Sequence, residues 1–344
     1  MMATTVLDDV NGTSVYEEST YVPVDVPNLP RCRWPAPHPD WTVAFAVWGN
    51  SWLAHIIIFV IAYAILAIYS GSVLCYLVWK RCSAERGAHD GVLTKRLINL
   101  RIALHSLVFV ACSARTMSLG IDPYGTRRIL KCPSGVVLWS LGWPSLVASF
   151  SILLLLLLET TRLSLAPPRI QRPSVLASII AVSLGYVLFS DFLVAYDNST
   201  KYAVTVCQLL FILWGILLFF GFIFVWWKIH SNLMASSRGQ TQTSSNRDSS
   251  DNSKMRKLNT IIFVSAAIGI CLTVTNLYWV SSTLDKSYRP EALKPWSWLA
   301  FSTCQRFLEI GISIMILLTV SKSRENSKVD DTGKSGNTIP TATA

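Results

Sequence analysis

Seven apolar stretches, each long enough to cross a bilayer, constrain this chain more than any other feature of its sequence. A hydrocarbon core about 30 Å thick requires about 20 apolar residues in a helix. Backbone groups cannot stay unpaired in lipid, so apolar stretches of this length form helices there. The predicted fold class is therefore an all-α polytopic membrane protein with seven transmembrane helices in a receptor-like bundle. The predicted spans are residues 52–79, 97–121, 136–163, 175–196, 203–229, 258–282 and 296–320.

Composition agrees with the membrane class and limits the kinds of partner that we expect. Of the 344 residues, 51% are hydrophobic and 15% are charged, a balance that an ordinary soluble domain does not have. The net charge of +10 would suggest nucleic acid in a soluble protein, but in a polytopic protein Lys and Arg first report topology. We therefore expect the lipid bilayer as a partner and no nucleic acid.

The segments that flank and interrupt the membrane domain (48–321) are polar and predict little order. Residues 1–47 are acidic and proline-rich, so we expect a disordered outer tail, with 41–48 lying along the membrane surface. Residues 230–257 are rich in Ser, Asn and Gln, and 322–344 have the same character. Both are predicted to be disordered and cytoplasmic.

Charge distribution predicts the orientation of the chain. With the N-terminus outside, the cytoplasmic segments hold 18 Lys and Arg and the outer segments hold 9, as the positive-inside rule requires. Two Asn-x-Thr/Ser sequons, at Asn11 and Asn198, fall on the outer side, so we expect a glycoprotein. The C-terminus is then cytoplasmic, and the choice between plasma membrane and endomembrane stays open.

Cysteine positions allow one disulfide in the outer segments. Of eight cysteines, Cys32 and Cys132 lie clearly in segments predicted to face an oxidising compartment, and Cys207 lies just inside the fifth span. A bridge from Cys32 to Cys132 is our first interpretation, with Cys207 as the alternative partner. A fully reduced set is equally compatible with the sequence, because spacing carries no geometry.

The second span carries two arginines in one polar stripe. Arg101 is close enough to an end to snorkel, whereas Arg115 lies deeper, where an arginine costs roughly 3 kcal/mol and needs a partner. Asp191 in the fourth span lies at about the same depth and is the candidate partner. Asp122 reaches Arg115 only if the turn after the second span folds under the helix end.

Polar residues in the later spans extend this intramembrane network. Arg306 and Glu309 in the seventh span are spaced to pair at i,i+3. Asn276 in the sixth span and Gln208 in the fifth are candidates for interhelical hydrogen bonds. The main interpretation is a structural network that fixes helix packing, and the alternatives are an ion or proton path or the floor of a ligand site.

Catalytic and cofactor motifs are not found in the sequence. It has no HExxH, no His pair at i,i+4 and no Cys or His spacing for a metal. Haem would require facing histidines, and only His55 and His105 lie in spans. We therefore expect no enzyme activity and no cofactor. The motifs of rhodopsin-like receptors are also lacking, because the third span ends Glu159-Thr160-Thr161-Arg162 and the sixth and seventh spans have no proline motif.

Several motifs follow one another along the membrane domain. They are Trp48-Gly49-x-x-Trp52-x-x-His55, Arg101 and Arg115 in the second span, the turn Asp122-Pro123-Tyr124-Gly125, and Pro144 before a leucine-rich third span. In this order they resemble the membrane module of the proline-rich transmembrane protein 3/4 family. The likeness covers roughly residues 41–320 and implies a seven-span membrane domain without supplying a mechanism. This chain has a short tail where the family carries a long proline-rich outer region.

Three functional hypotheses follow from these observations. The first is a non-catalytic binding or organising module that meets unknown protein partners through its outer loops and the serine-rich cytoplasmic loop. The second is an atypical seven-transmembrane signalling receptor that uses Arg115, Asp191, Arg306 and Glu309 as a switch. The third is a transporter that uses the same charges.

Overall fold

The computed structural model describes residues 38–84, 92–161, 173–196, 201–239, 246–284 and 293–334. Within them the chain forms eight α-helices and one short 3-10 turn, with no strand. The helices are α1 (Trp41–Trp48), α2 (Asn50–Ala84), α3 (Val92–Ile121), α4 (Cys132–Thr161), α5 (Pro173–Tyr196), α6 (Lys201–Gly239), α7 (Asn246–Leu284) and α8 (Pro295–Lys334), and the 3-10 turn is Pro123–Gly125.

The seven predicted spans are confirmed as helices long and apolar enough to cross a membrane. They fall within α2 to α8, and together they make the protein an all-α integral membrane protein that crosses the membrane several times. The longest apolar segment, Asn50–Ser83, has 34 residues and is about 51 Å long at 1.5 Å per residue. It exceeds a 30 Å hydrocarbon core, so α2 must tilt or protrude.

Helix α4 is the central element of the bundle. In its most apolar window 78% of the residues are buried, against 11% in α5 and 17% in α6. Its leucine run is buried on several faces because α3, α5, α6 and α8 all pack on it. Helices α5 and α6 therefore turn most of their apolar surface toward lipid, and α4 supplies the wall on which the polar groups of the bundle are arranged.

The tail that we predicted to be disordered up to residue 47 is ordered from residue 38. Asp40 caps α1, because its Oδ1 accepts hydrogen bonds from the Thr42 backbone N at 3.0 Å and the Thr42 hydroxyl at 2.6 Å. These hydrogen bonds hold the pKa of Asp40 below its ordinary value. The Trp48 ring stacks on Trp298 of α8, with centroids 5.6 Å apart. Burial of aromatic area explains why this segment folds despite its flanking prolines.

The serine-rich segment and the C-terminal tail also differ from the prediction of disorder. The chain is helical over 230–239 and 246–257, on either side of residues 240–245, and again over 322–334. A helix already formed in the membrane extends by adding one backbone bond for each residue that it fixes, without a new nucleation step. Composition alone therefore underestimates the lengths of α6, α7 and α8.

Candidate functional site

A single buried carboxylate binds two arginines inside the bundle. Arg115 of α3 donates from Nε to Glu309 Oε2 at 3.2 Å and from Nη2 to Oε1 at 3.3 Å. Arg306 of α8 donates from Nη1 to Oε2 of the same carboxylate at 2.5 Å. The i,i+3 pair expected from the sequence is therefore present. The expected pairing of Arg115 with Asp191 is wrong, since Glu309 takes that place.

A tyrosine and a tryptophan complete this arrangement. Tyr63 of α2 donates its hydroxyl to Glu309 Oε2 at 2.7 Å. Arg115 also donates from Nη1 to the Trp139 carbonyl at 3.2 Å, and its guanidinium carbon lies 4.6 Å from the centre of the Trp139 ring. Arg306 lies 5.1 Å from that ring. We call Tyr63, Arg115, Arg306 and Glu309 the charged hub; with Trp139 it joins α2, α3, α4 and α8.

Space for Arg115 depends on a glycine in α4. A Cβ added at Gly142 would lie 2.6 Å from Arg115 Nε and 2.8 Å from Cζ, closer than real carbon atoms approach. The absence of a side chain at Gly142 thus lets the guanidinium lie flat against α4. The hub arginines are almost fully buried, at 4% exposure for Arg115 and 2% for Arg306. Two cations and one anion are therefore held out of water together.

The turn after α3 anchors a tyrosine next to the hub rather than reaching Arg115. Asp122 accepts hydrogen bonds from the backbone N of Arg127 at 2.9 Å and of Leu130 at 3.3 Å, so it organises the connection. Tyr124 has φ +53° and points into the bundle, where its hydroxyl lies 3.0 Å from His55 Nε2. His55 Nδ1 in turn lies 2.9 Å from the Thr303 hydroxyl. Burial raises the pKa of Tyr124.

Asp191 belongs to a separate polar group. It accepts a hydrogen bond from the hydroxyl of Ser140, one helical turn before Pro144 in α4. Asn276, also predicted for the network, donates to the carbonyl of Leu272 in its own helix at 2.8 Å. Neither residue touches the hub directly in the contacts described. Both face the space beside it.

That space is a cavity of about 130 Å³, which we call the polar cavity. Its wall is formed by the turn Pro123–Gly125 and by helices α3 to α8, both included. The polar and aromatic residues of this wall include Arg115, Asp191, Asn276, Gln208, Gln305, Arg306, Tyr124, Trp139, Trp143 and Trp298. Two buried polar atoms of this wall have no hydrogen-bond partner in the structure: Arg306 Nε and Gln208 Oε1. Glu309 lies behind the arginines and is not part of the lining.

The side chains that line the polar cavity are of types that bind ligands through hydrogen bonds and charge. Its lining contains arginine, amide, hydroxyl, carboxyl and indole side chains but no histidine. Among the described residues no three His, Cys, Asp or Glu side chains are placed to hold a metal ion. Among the described residues, a further ion pair joins Arg96 of α3 to Glu159 of α4. Each of these residues lies near the end of its helix that is farther from the polar cavity.

Several sequence predictions fall on residues that are not described. Cys32, Asn11 and Asn198 lie outside the described ranges, and at Cys132 only the backbone is described. The Cys32–Cys132 disulfide and both glycan sites therefore stay predictions. Cys207, the alternative disulfide partner, is a buried free thiol in the wall of the polar cavity.

Sequence reasoning missed three residues of the site. Tyr63 and Trp139 were not singled out because an aromatic residue in an apolar helix reads as ordinary packing. Tyr124 was noted only as part of a turn. A usable signal was present for it, since a turn that places an aromatic residue between Pro and Gly directs that side chain by backbone geometry.

Comparison with known proteins places these features in a family. A family model described as the proline-rich transmembrane protein 3 domain matches residues 27–333. The match includes α1 to α7, α8 up to residue 333, and the whole polar cavity. A search of curated proteins finds no match.

Proposed function

Because this chain belongs to the proline-rich transmembrane protein 3 family, whose defining domain is a membrane one, we propose that it is a non-catalytic binding module. Its ligand carries one anionic group and occupies the polar cavity. The observation that carries the proposal is the charge balance of the hub, in which two buried arginines share one glutamate. Asp191, the other carboxyl of the cavity wall, is hydrogen-bonded to Ser140 and not to an arginine, so one buried cation has no anion of its own in contact. That is unfavourable by several kcal/mol, and a ligand anion that contacts Arg306 relieves it.

The unpartnered atoms of the cavity wall support the same ligand class. Arg306 Nε is a buried donor without an acceptor, and Gln208 Oε1 is a buried acceptor without a donor. A buried polar group left unsatisfied costs about 1–3 kcal/mol. A ligand with an anionic oxygen accepts a hydrogen bond from Arg306 Nε and so satisfies the donor. Asp191 limits the ligand to one anionic group, because a second one would be repelled.

The chemistry of the lining favours binding over catalysis. General acid–base catalysis near neutral pH most often uses histidine, and none lines the polar cavity. The Cys207 thiol is the only nucleophile type in the wall with strong intrinsic reactivity, and it has no histidine or lysine among its fellow lining residues to activate it. Recognition by fixed donors and acceptors is the activity that this set of side chains supports best.

The test is ligand-induced stabilisation of the purified protein in nanodiscs of an uncharged lipid. Small carboxylates and phosphates should raise the unfolding temperature in a saturable way, since a ligand that binds only the folded state stabilises it. Arg306→Gln should abolish the shift, and Arg127→Gln, an exposed arginine of the turn segment, is the matched control that should keep it. A shift that survives in Arg306→Gln would refute the proposal.

A second candidate function, an atypical receptor, is favoured by one feature of the hub. The arginines that face the polar cavity are the same ones that tie α3 to α8 through Glu309. An anionic ligand competes with Glu309 for them, so binding would loosen the contact between these helices. A distance between probes on α3 and α8 that changes with ligand in the wild type, and stays constant in Glu309→Gln, would support this candidate.

For orientation we propose the N-terminus outside and the C-terminus in the cytoplasm, on the strength of the Lys and Arg bias. Protein partners would then meet the serine-rich cytoplasmic loop and the outer loops. Protease cleavage between α6 and α7 in inside-out vesicles, together with a glycan at Asn11, would support this orientation. Protection of that loop in intact inside-out vesicles would overturn it.

A further inference from the structure

A second cavity opens between α4, α5 and α6. It has a volume of about 450 Å³, and we call it the apolar cleft. Most of its lining is aliphatic or aromatic: Pro144, Val147, Ala148, Ser151, Ile179, Ile180, Val182, Ser183, Tyr186, Cys207, Leu210, Phe211, Leu213, Trp214 and Leu217. Several of these side chains are open to the surroundings of the bundle, with Val182 73% and Leu213 56% exposed. On helices that cross a membrane, this opening faces the lipid.

Two polar groups of the cleft wall, Trp214 and Ser151, already have hydrogen-bond partners. Trp214 Nε1 donates to the Ser151 hydroxyl at 2.9 Å, and that hydroxyl donates to the Val147 carbonyl at 2.9 Å. No charged side chain lines the cleft. Its occupant therefore meets an apolar surface, for which hydrocarbon is the suitable chemistry.

The apolar cleft and the polar cavity share a wall. Pro144, Cys207 and Phe211 line both spaces, so the apolar surface begins where the polar lining ends. From Cys207 to Leu217 the cleft follows α6 for about 15 Å at 1.5 Å per residue. The two spaces are therefore adjacent, and the apolar cleft is long enough for an alkyl chain of several methylene groups.

We propose that the ligand is a single-chain amphiphile of the fatty-acid type, which enters from the bilayer. Its alkyl chain lies in the apolar cleft, and its carboxylate reaches the polar cavity beside Arg306. This inference rests on the proposed function and adds the ligand class and the route of entry. The charge of the hub selects an acidic head, and the shared wall joins the head site to the chain site.

Energetics determine which part of this ligand gives specificity. Lipid tails are as apolar as the side chains of the cleft, so moving the chain out of the bilayer contributes little free energy. The head group leaves the membrane surface for a charged site with unpartnered donors, so it carries the discrimination. An alcohol of equal chain length should therefore bind much more weakly than the acid.

Photolabelling tests this arrangement in the full chain. The protein is reconstituted in phosphatidylcholine nanodiscs and exposed to palmitate with a diazirine at the chain end, and labelled peptides are identified by mass spectrometry. Label should concentrate on the part of α6 between Leu210 and Leu217 and fall about tenfold with excess palmitate, whereas hexadecanol should compete at least tenfold less well, a difference of about 1.4 kcal/mol.

Matched variants assign the chain site. Ser183→Phe places a ring inside the apolar cleft and should lower the labelling of α6 about tenfold, as loss of roughly 1.4 kcal/mol of binding implies. Ser72→Phe places the same ring in an unrelated lipid-facing groove of α2, lined by Ile65, Ile68 and Tyr76 among others, and should leave the labelling unchanged. Equal labelling of α6 in Ser183→Phe and in the wild type would overturn the chain site.

Separate variants test the head site, so failure of the anion site can be distinguished from failure of the amphiphile proposal. Arg306→Gln should abolish competition by palmitate; if it does not fold, Arg115→Met replaces it, because that change removes the other arginine of the cavity wall and leaves Arg306 paired with Glu309. Saturable binding of butyrate that needs Arg306 but is indifferent to Ser183→Phe, with no advantage for palmitate, would keep the anion site and refute the amphiphile. Label spread evenly over all lipid-facing helices, with hexadecanol competing as well as palmitate, would refute both.

Discussion

Arg115 and Glu309 lie 194 positions apart in the chain and form two hydrogen bonds side by side, at 3.2 Å and 3.3 Å. Each bond joins one nitrogen of the guanidinium to one oxygen of the carboxylate, the fork geometry that gives arginine its specificity for carboxylates. Through this contact α3 is tied to α8, and through Arg306 and Tyr63 the same carboxylate is held from two further directions. Three buried side chains thus depend on one glutamate.

Removing the charge of Glu309 should be the most damaging substitution in the hub. Glu309→Gln leaves Arg115 and Arg306 buried without an anion, and breaking a buried pair in this way costs about 3–5 kcal/mol. The measurement is the free energy of unfolding in mixed micelles. Glu159→Gln is the control, because its partner Arg96 is 41% exposed and pairs of that kind contribute about 0–1 kcal/mol. Equal losses in the two variants would contradict the role of the hub.

Removing one arginine should be far milder than removing the glutamate. Arg115→Met leaves Glu309 paired with Arg306, so one cation and one anion remain and no buried charge is left uncompensated, which is what makes the breaking of a buried pair costly. We expect a loss of at most about 1–2 kcal/mol, against about 3–5 kcal/mol for Glu309→Met. The same unfolding assay compares them. A larger loss for Arg115→Met would show that the second arginine is needed for stability.

Gly142→Ala should disturb the hub from the side of α4. The added Cβ would lie 2.6 Å from Arg115 Nε, so the guanidinium must move away from Glu309, and overpacking of this kind costs about 1–3 kcal/mol. Gly185→Ala is the matched control, since nothing lies within 4 Å of its Cβ position. Replacement of a helical glycine there should be neutral or stabilise by up to about 1 kcal/mol. Thermal unfolding of both variants gives the comparison.

Acid should loosen α1 through its cap. Hydrogen bonds from Thr42 lower the pKa of Asp40 from its ordinary value of 3.8, so the cap stabilises α1 fully above that value and is lost as the pH falls through the lowered pKa. The protection of residues 41–48 against hydrogen exchange, taken relative to the intrinsic rate at each pH, should therefore fall at the acid end of the range. Asp40→Asn keeps a capping side chain that does not titrate, and its exchange at the same pH should stay slow; identical acid behaviour in both proteins would exclude the cap as the cause.

Hydropathy and local spacing predicted the fold well because they report properties of single helices. The seven spans follow from the length of apolar stretches, and the pairing of Arg306 with Glu309 follows from helical spacing alone. The sequence underestimates the lengths of α6, α7 and α8, because composition reports how a segment interacts with water. It does not report whether an adjacent helix continues into that segment.

The partner of Arg115 could not be predicted from depth along the helix. Asp191 lies five residues from the end of α5 and Arg115 six from the end of α3, so their depths match, and side chains on these two parallel helices tilt the same way, toward the N-terminus of their own helix. Arg115 therefore reaches away from the turn, while Glu309, on a helix of opposite direction, reaches back toward it. Which helices are neighbours, and how each is rotated, is fixed by packing that no single span encodes.

The polar cavity was likewise beyond the sequence, although all of its charged residues were recognised individually. Arg115, Asp191, Arg306 and Asn276 come from four helices, and only the packing of α3, α5, α7 and α8 around α4 places them on one wall. Tyr63 and Trp139 carried no polar signal within their apolar helices, yet both hold the hub through a hydroxyl and a ring face.

The most direct test of the central claim is equilibrium binding of radiolabelled laurate to the protein in phosphatidylcholine nanodiscs, compared between the wild type, Arg306→Gln and the exposed-arginine control Arg127→Gln. An anionic group recognised in the polar cavity predicts one saturable site in the wild type and the control, and affinity at least about tenfold weaker, or 1.4 kcal/mol, in Arg306→Gln. Binding that never saturates, or that is the same in all three proteins, would contradict the account.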